Sequence, residues 1–86
     1  MISTRERVDA AIGQGLINAL PELENPDRDA VLTSDIGLDS VQIMNLVMEI
    51  EDELDISIPV DVLSETRTLN QLAERLTRMI DGNETT

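Results

Sequence analysis

The sequence predicts an all-α protein, a four-helix bundle with three long helices, one short third helix and a long first loop. Apolar side chains recur at helical spacing in three segments, and capping residues stand where each segment begins. The 86 residues are enough for one small domain, and they include no cysteine and no aromatic residue. Packed aliphatic side chains must therefore stabilise the fold. We assign residues 1–80 to a single domain and residues 81–86 to a flexible C-terminal tail.

The first helix begins at Ser3 or Thr4, because Ser3 and Glu6 have the spacing of a capping box. It ends before Pro21, since proline disrupts a helix interior. One apolar stripe along it is predicted to face the core: Val8, Ala11, Ile12, Leu16 and Ala19.

A long loop is expected from about Leu20 to Asp39. Two prolines, Asn25 and several acids disfavour a helix in this stretch. A loop of this length without regular structure is unusual inside a small domain. We expect four apolar side chains to pin it to the core: Leu23, Val31, Leu32 and Ile36.

The second helix is predicted from Asp39 or Ser40 to about Leu54, and it carries two apolar stripes. With about 100° between successive residues, one stripe faces the core and contains Ile43, Leu46, Val47, Ile50 and Leu54.

The other stripe lies about 150° away around the same helical wheel and contains Val41, Met44 and Met48. Either the long loop covers this stripe, or it is an exposed docking face bordered by Glu51 and Asp52. A small bundle buries one broad face of each helix, so we expect the stripe to be at least partly exposed.

The last two helices differ in length. A short helix is predicted from Pro59 to Leu63, since proline suits the first helical position. The final helix follows a Thr68 cap, with Gln71 at capping-box spacing, and runs to Ile80. Its apolar stripe is Leu69, Leu72, Ala73, Leu76, Met79 and Ile80.

The composition excludes much enzymology. The chain has 18 acidic residues against 6 arginines, a formal net charge of −12, and neither histidine nor lysine. A Ser-His-Asp triad, a histidine zinc site, a P-loop lysine and a Schiff base are therefore impossible. We expect no catalytic residues and no bound metal.

So acidic a surface repels nucleic acid and anionic membranes, and it attracts proteins with basic patches. The N-terminal residues lack the pattern of a signal peptide, and no segment has the length of apolar residues that a membrane helix needs. We therefore expect a cytoplasmic monomer that neither binds nucleic acid nor inserts into membranes.

One segment, Asp35 to Val41, indicates a chemical site. Gly37 allows a tight turn, and Ser40 then lies at a helix N-terminus, beside unpaired N–H groups and the positive end of the helix dipole. A phosphodiester on this hydroxyl is electrostatically favoured. Asp39 caps the helix or helps an incoming enzyme to place a metal ion. By itself, Asp-Ser before a helix is typical of an ordinary cap.

The wider segment, residues 35–63, reads DIGLDSVQIMNLVMEIEDELDISIPVDVL and closely resembles acyl carrier proteins. That family has a D-x-G-x-D-S-L signature, followed by E-E/D-x-F/L-D-x-x-I-P before a short third helix. Here the stretch from Glu51 to Asp55, then Ile58 and Pro59, occupies the second pattern. Val41 stands where the family usually has leucine.

The resemblance implies that Ser40 carries 4'-phosphopantetheine, transferred from coenzyme A by a separate phosphopantetheinyl transferase, with Asp39 supporting the reaction. It implies an acyl carrier for fatty acid, polyketide or related lipid biosynthesis. The other implied partners are acyl synthetase or acyltransferase and ketosynthase-type enzymes with basic docking patches. The residues that would face them are Val41, Met44, Met48, Glu51 and Asp52.

Three alternatives stay open from the residues. A peptidyl or aminoacyl carrier of a nonribosomal peptide pathway is disfavoured by Asp39, because an acid before the serine is typical of acyl carriers. An acidic adaptor without modification has the same composition. A calcium-binding EF-hand starting at Asp52 would put Ser57 and Leu63 where the loop needs glycine and glutamate.

Overall fold

Four α-helices and a π-helical turn make up the computed structural model, which describes residues 3–23 and 26–82. The helices are α1 (Thr4–Ala19), α2 (Ser40–Leu54), α3 (Val60–Glu65) and α4 (Leu69–Gly82), and the turn is Leu32–Ile36. Helix α1 packs against both α2 and α4. The predicted all-α class, with three long helices and a short third one, is confirmed.

Helix α1 begins with the predicted capping box. The Glu6 N–H donates to Ser3 Oγ at 3.1 Å, and the Ser3 N–H donates to Glu6 Oε1 at 3.2 Å. The two bonds satisfy N–H groups that have no partner within the helix. The helix ends at Ala19, before Pro21, as predicted.

Gly15 marks the closest approach of α1 to α2. A Cβ atom at this position would lie 3.2 Å from both Ile50 Cγ1 and Leu46 Cδ1, which is tighter than ordinary van der Waals contact. Ile50 and Leu46 are fully buried, so neither side chain has free space to move into. The sequence pattern does not explain this glycine, whereas the close packing of α1 against α2 does.

The first loop has more structure than we expected. Its residues 32–36 form the π-helical turn, and Val31 makes an isolated antiparallel bridge with Thr68 at the start of α4. The Leu32 N–H donates to the carbonyl oxygen of Arg67 at 2.9 Å. Leu32 is buried and the other three predicted anchors are partly buried. Leu38, which the sequence analysis did not single out, is buried as well. Asn25 lies outside the described residues.

Arg28 ties the same loop to two helices. Its guanidinium lies 3.5 Å from Asp9 Oδ1 on α1. Its carbonyl oxygen accepts the N–H of Asn70 on α4 at 2.9 Å, and the Asn70 side chain donates to Asp29 Oδ1 at 2.6 Å. The loop therefore crosses the bundle along a fixed path and delivers the chain to the start of α2.

The ends of α3 and α4 differ in detail from prediction. Helix α3 starts at Val60, with Pro59 as its N-cap, and extends to Glu65. The Gln71 N–H donates to Thr68 Oγ1 at 3.1 Å, which confirms the Thr68 cap. The Gln71 side chain, however, accepts from the Arg67 N–H at 2.7 Å, whereas a capping box requires the Thr68 N–H as the donor. The prediction of a capping box with Gln71 was therefore wrong by one residue.

Helix α4 continues to Gly82, two residues beyond its predicted end. The Thr4 hydroxyl donates to Asp81 Oδ1 at 2.6 Å, which ties this last turn to the start of α1. The rest of the predicted tail, residues 83–86, lies outside the described residues.

The helix contact at Gly15 gives a test by substitution. Gly13→Ala should stabilise the protein by about 0.5–1 kcal/mol from helix propensity, because its new Cβ meets only the flexible end of Arg28. Gly15→Ala gains the same propensity but crowds Ile50 and Leu46, so it should be less stable than Gly13→Ala by about 1 kcal/mol or more. Urea unfolding of both variants measures the difference, and equal midpoints would contradict the close packing.

Candidate functional site

Ser40 is the first residue of α2 and its side chain is exposed. Its hydroxyl makes no hydrogen bond with the residues that the structure describes. The oxygen is therefore accessible at the helix N-terminus, beside backbone N–H groups and the positive end of the helix dipole. This is the placement that the sequence predicted for it.

Asp39 caps α2, and the partner in its capping box is Gln42. The Gln42 N–H donates to Asp39 Oδ1 at 2.8 Å, and the Asp39 N–H donates to Gln42 Oε1 at 3.0 Å. The sequence analysis predicted the cap but missed Gln42. The spacing D-x-x-Q was the available signal, because a Gln at the third helical position returns the cap's hydrogen bond.

Two features fix the backbone of the turn before Ser40. Gly37 has a φ of 86°, a left-handed conformation that side chains other than glycine rarely adopt, and it ends the π-helical turn. The next residue, Leu38, is buried and donates its N–H to the carbonyl oxygen of Leu32 at 2.9 Å. Ser40 thus follows directly on a buried anchor and a capped helix start, and its position is fixed by both.

The second apolar stripe of α2 is exposed. Val41 is 65% exposed, Met44 is 50% exposed and Met48 is 56% exposed. Of the two readings of this stripe, coverage by the first loop is therefore wrong. Three exposed apolar side chains on one helix face, beginning next to Ser40, form a surface that we call the α2 stripe.

The two acids beside the stripe are in different environments. Asp52 is exposed, whereas Glu51 is partly buried and its Oε2 accepts the Ile58 N–H at 2.7 Å. The Glu51 carbonyl oxygen also accepts the N–H groups of Asp55 and Ile56. Glu51 therefore organises the connection from α2 to α3, a role that the sequence analysis missed because the bond joins residues seven apart.

A cavity of about 310 Å³ lies on the core side of α2. Apolar side chains from α2, α3, α4 and the π-helical turn line most of it. Ile43, in the first turn of α2, belongs to this lining. An apolar space therefore lies within one helical turn of Ser40.

Two further searches cover residues 3–23 and 26–82. In that part of the chain, acidic side chains do not gather in groups of three or more that could hold a metal ion. None of its helices has the length and apolar character needed to cross a membrane.

Comparison with known proteins adds a decisive observation. The family model for the phosphopantetheine attachment site matches residues 14–76, which is more than half of the chain. The chain belongs to the acyl carrier protein family. The matched range runs from within α1 into α4 and includes the Ser40 turn and the α2 stripe.

Two curated acyl carrier proteins are similar to this chain over part of their length. One is the probable acyl carrier protein of Caulobacter vibrioides (strain NA1000 / CB15N), 45% identical over 40 residues, which is 46% of each chain. The other is the acyl carrier protein of Amoebophilus asiaticus (strain 5a2), 36% identical over 52 residues, covering 60% of this chain and 65% of the relative. The chain thus spans less than two thirds of either relative.

Acyl carrier proteins are non-catalytic carriers, and the family's prosthetic group is covalently attached 4'-phosphopantetheine. The site fits this group. An attachment oxygen must be free and exposed, and Ser40 Oγ is both. The N-terminal N–H groups of α2 suit the negative charge of a phosphodiester at that position.

The environments of Glu51 and Asp52 predict different effects of substitution. Glu51→Ala leaves the Ile58 N–H without its partner, which should cost about 1–3 kcal/mol of unfolding free energy. Asp52→Ala removes the same charge from an exposed neighbour and should change stability by less than about 0.5 kcal/mol.

Urea unfolding at neutral pH measures both effects, and Glu51→Gln, which retains an acceptor oxygen, should recover part of the loss. If Glu51→Ala and Asp52→Ala unfold at the same midpoint, the hydrogen bond to Ile58 contributes nothing and Glu51 is only a surface charge.

Proposed function

We propose that this protein is an acyl carrier that bears 4'-phosphopantetheine on Ser40 and presents acyl groups to enzymes that dock on the α2 stripe. The single observation that carries the proposal is the exposed, unbonded Ser40 hydroxyl at the first residue of α2, inside the range matched by the phosphopantetheine attachment model.

Attachment of the arm is a phosphoryl transfer. Ser40 Oγ attacks the phosphorus that bears pantetheine in coenzyme A, an O–P bond forms, the pyrophosphate P–O bond breaks, and 3',5'-ADP leaves. The serine proton passes to a base on the separate transferase. This chain contributes an accessible oxygen and the N–H groups of a helix start, which favour the phosphate charge.

Asp39 supports this step through the helix start. Its Oδ1 is occupied by the Gln42 N–H, which keeps the first turn of α2 formed while the transferase is bound. The side chain is exposed, so its carboxylate is also accessible to a metal ion that the transferase brings. The chain's net charge of −12 opposes the approach of anionic coenzyme A, and the transferase has to compensate for it with cationic groups.

The bound arm supplies a thiol that holds the acyl group as a thioester. The protein's own contribution is to position that arm. The inner face of α2 is buried through Leu46, Val47 and Ile50, so the helix presents Ser40 and the outer stripe as one rigid surface.

Docking in this proposal combines apolar anchors with charge. Val41, Met44 and Met48 enter apolar pockets of the partner, and methionine adapts to pockets of different shape. Asp52 and the charge of Glu51 attract arginine and lysine on the enzyme and speed the encounter. The partners are the phosphopantetheinyl transferase, an acyl synthetase or acyltransferase, and ketosynthase-type enzymes.

The proposal places the carrier in fatty acid, polyketide or related lipid biosynthesis, as a cytoplasmic monomer whose carrier domain is residues 1–80. Asp39 immediately before Ser40 supports an acyl rather than a peptidyl or aminoacyl cargo. Intact-mass analysis of the protein purified from its own cell identifies the bound group and so distinguishes these carriers.

Modification of Ser40 is tested by mass spectrometry. Incubation with coenzyme A and a broad-specificity phosphopantetheinyl transferase should add one phosphopantetheinyl group, because the hydroxyl is accessible. The Ser40→Ala variant should gain no phosphopantetheinyl group. The Ser34→Ala variant, which lacks another exposed serine hydroxyl, should still gain one. If the wild-type protein stays unmodified, the result supports an acidic adaptor instead. If the arm is found on a different serine, Ser40 is not the attachment residue.

Docking on the α2 stripe is tested with the same transferase. Met44→Glu puts a charge on an apolar anchor and should lower kcat/KM about tenfold or more, equivalent to about 1.4 kcal/mol. Ile17→Glu is the matched control, because Ile17 is also an exposed apolar residue, at 65% against 50% for Met44, but lies on α1. Equal losses in both variants would rule out a specific role for the stripe.

A further inference from the structure

The lining of the 310 Å³ cavity is not uniformly apolar. Its walls are apolar side chains of three helices, among them Ile43, Leu46 and Val47 of α2. Ile43 is three residues after Ser40, which places it about 4.5 Å further along the helix axis. An arm on Ser40 is therefore attached close to this space, and a chain at the end of the arm reaches the cavity when the arm folds back against α2.

Four polar residues line the cavity, in two pairs of chain neighbours, Thr33–Ser34 and Thr66–Arg67. The antiparallel bridge between Val31 and Thr68, with the hydrogen bond from the Leu32 N–H to the Arg67 carbonyl oxygen, holds the two segments side by side. Both polar pairs lie within three residues of this bridge along the chain, and both line the same cavity. The cavity therefore has apolar walls and one polar edge.

The arginine on this edge has no ionic partner among residues 3–23 and 26–82. Four of the six arginines form ion pairs with Asp or Glu, and Arg67 forms none within the described part of the chain. Arg7 and Arg67 are the two arginines without such a pair among the described residues, and of these only Arg67 lines the cavity. Arg67 is exposed, and its guanidinium makes no hydrogen bond with residues 3–23 or 26–82, so its N–H donors are available to a ligand at the cavity edge.

The hydroxyls on the same edge also offer donors. Thr33 and Ser34 are exposed, and their hydroxyls make no hydrogen bond with residues 3–23 or 26–82. Thr66 differs, because its hydroxyl donates to the Val62 carbonyl oxygen at 2.9 Å. Arg67 can only donate, and the hydroxyls of Thr33 and Ser34 can donate as well as accept, so the edge suits a ligand that is an alkyl chain in one part and a hydrogen-bond acceptor in another.

A saturated acyl thioester has one acceptor, its carbonyl oxygen, whereas a chain with a hydroxyl or keto group on carbon 3 has a second one nearby. The guanidinium fork of arginine donates to two such oxygens at once. We propose that Arg67, assisted by Thr33 and Ser34, binds the oxygenated end of the cargo, so that this carrier favours 3-hydroxyacyl or 3-ketoacyl chains over saturated ones. The inference rests on the proposed carrier function and names the class of its cargo.

The test compares melting temperatures of the loaded full-length protein. Wild type is loaded on Ser40 with octanoyl or with 3-hydroxyoctanoyl phosphopantetheine, and complete loading is verified by mass spectrometry. A group bound only by the folded state raises the melting temperature. The 3-hydroxyoctanoyl form should melt about 4–8 °C higher than the octanoyl form, as expected from one added hydrogen bond of ordinary strength.

Arg67→Ala should abolish this difference between the two cargoes, because the octanoyl form, which offers only its carbonyl oxygen, should lose less melting temperature than the 3-hydroxyoctanoyl form. Arg67→Gln, which retains donors but no charge, should keep a part of it. Arg7→Ala is the matched control, because Arg7 is also exposed and without an ion pair among the described residues but lies on α1, outside the cavity lining. It should keep the full difference.

The outcomes separate this proposal from the carrier function. Equal melting temperatures of the two loaded wild-type forms, or a difference that persists in Arg67→Ala, overturn the cargo preference and leave the carrier function intact. If the protein accepts no arm on Ser40, both the cargo preference and the proposed carrier function are wrong.

Discussion

The fold and its function both depend on how little of α2 this small bundle can bury. The helix has apolar residues on two faces. Helix α1 packs against one of these faces, whose residues Leu46, Val47 and Ile50 are buried in the core. The helices formed by residues 3–23 and 26–82 leave the other face uncovered, so Val41, Met44 and Met48 stay in contact with water. This exposure costs stability in the isolated protein and provides the anchors that a partner enzyme would cover.

The start of α2 places one oxygen, Ser40 Oγ, at a fixed position at the end of this packed helix. Buried Leu38 and the Asp39–Gln42 capping box hold the backbone on either side of Ser40, while the serine side chain itself takes no part in the structure. A residue with a structural role could not be modified without loss of stability. The Ser40 side chain is exposed and makes no hydrogen bond among the described residues, so a group added there would break none of the hydrogen bonds of the described fold.

Local patterns made much of this predictable. Helix spacing identified the three long helices and both stripes of α2, and cap residues placed the starts of α1, α2 and α4, since these features depend only on residues three or four apart. The π-helical turn and the bond from Ile58 to Glu51 were not predictable, because each requires segments to meet that the sequence pattern does not relate. The position of Arg67 at the edge of a cavity could be recognised only from the structure, in which it lies next to the Val31–Thr68 bridge.

The hydrogen bond between Glu51 and Ile58 has a consequence for how the bundle deforms. Helix α3 has six residues with Val62 as its one buried side chain, whereas the opposite boundary of the cavity is the first loop, fastened to α1 and α4 through Arg28. We expect any enlargement of this interior to displace α3, because the Arg75–Glu65 ion pair that fastens its end to α4 is at the surface, while the hydrogen bond from Ile58 to Glu51 holds the connection before it. The three long helices would then keep their mutual packing.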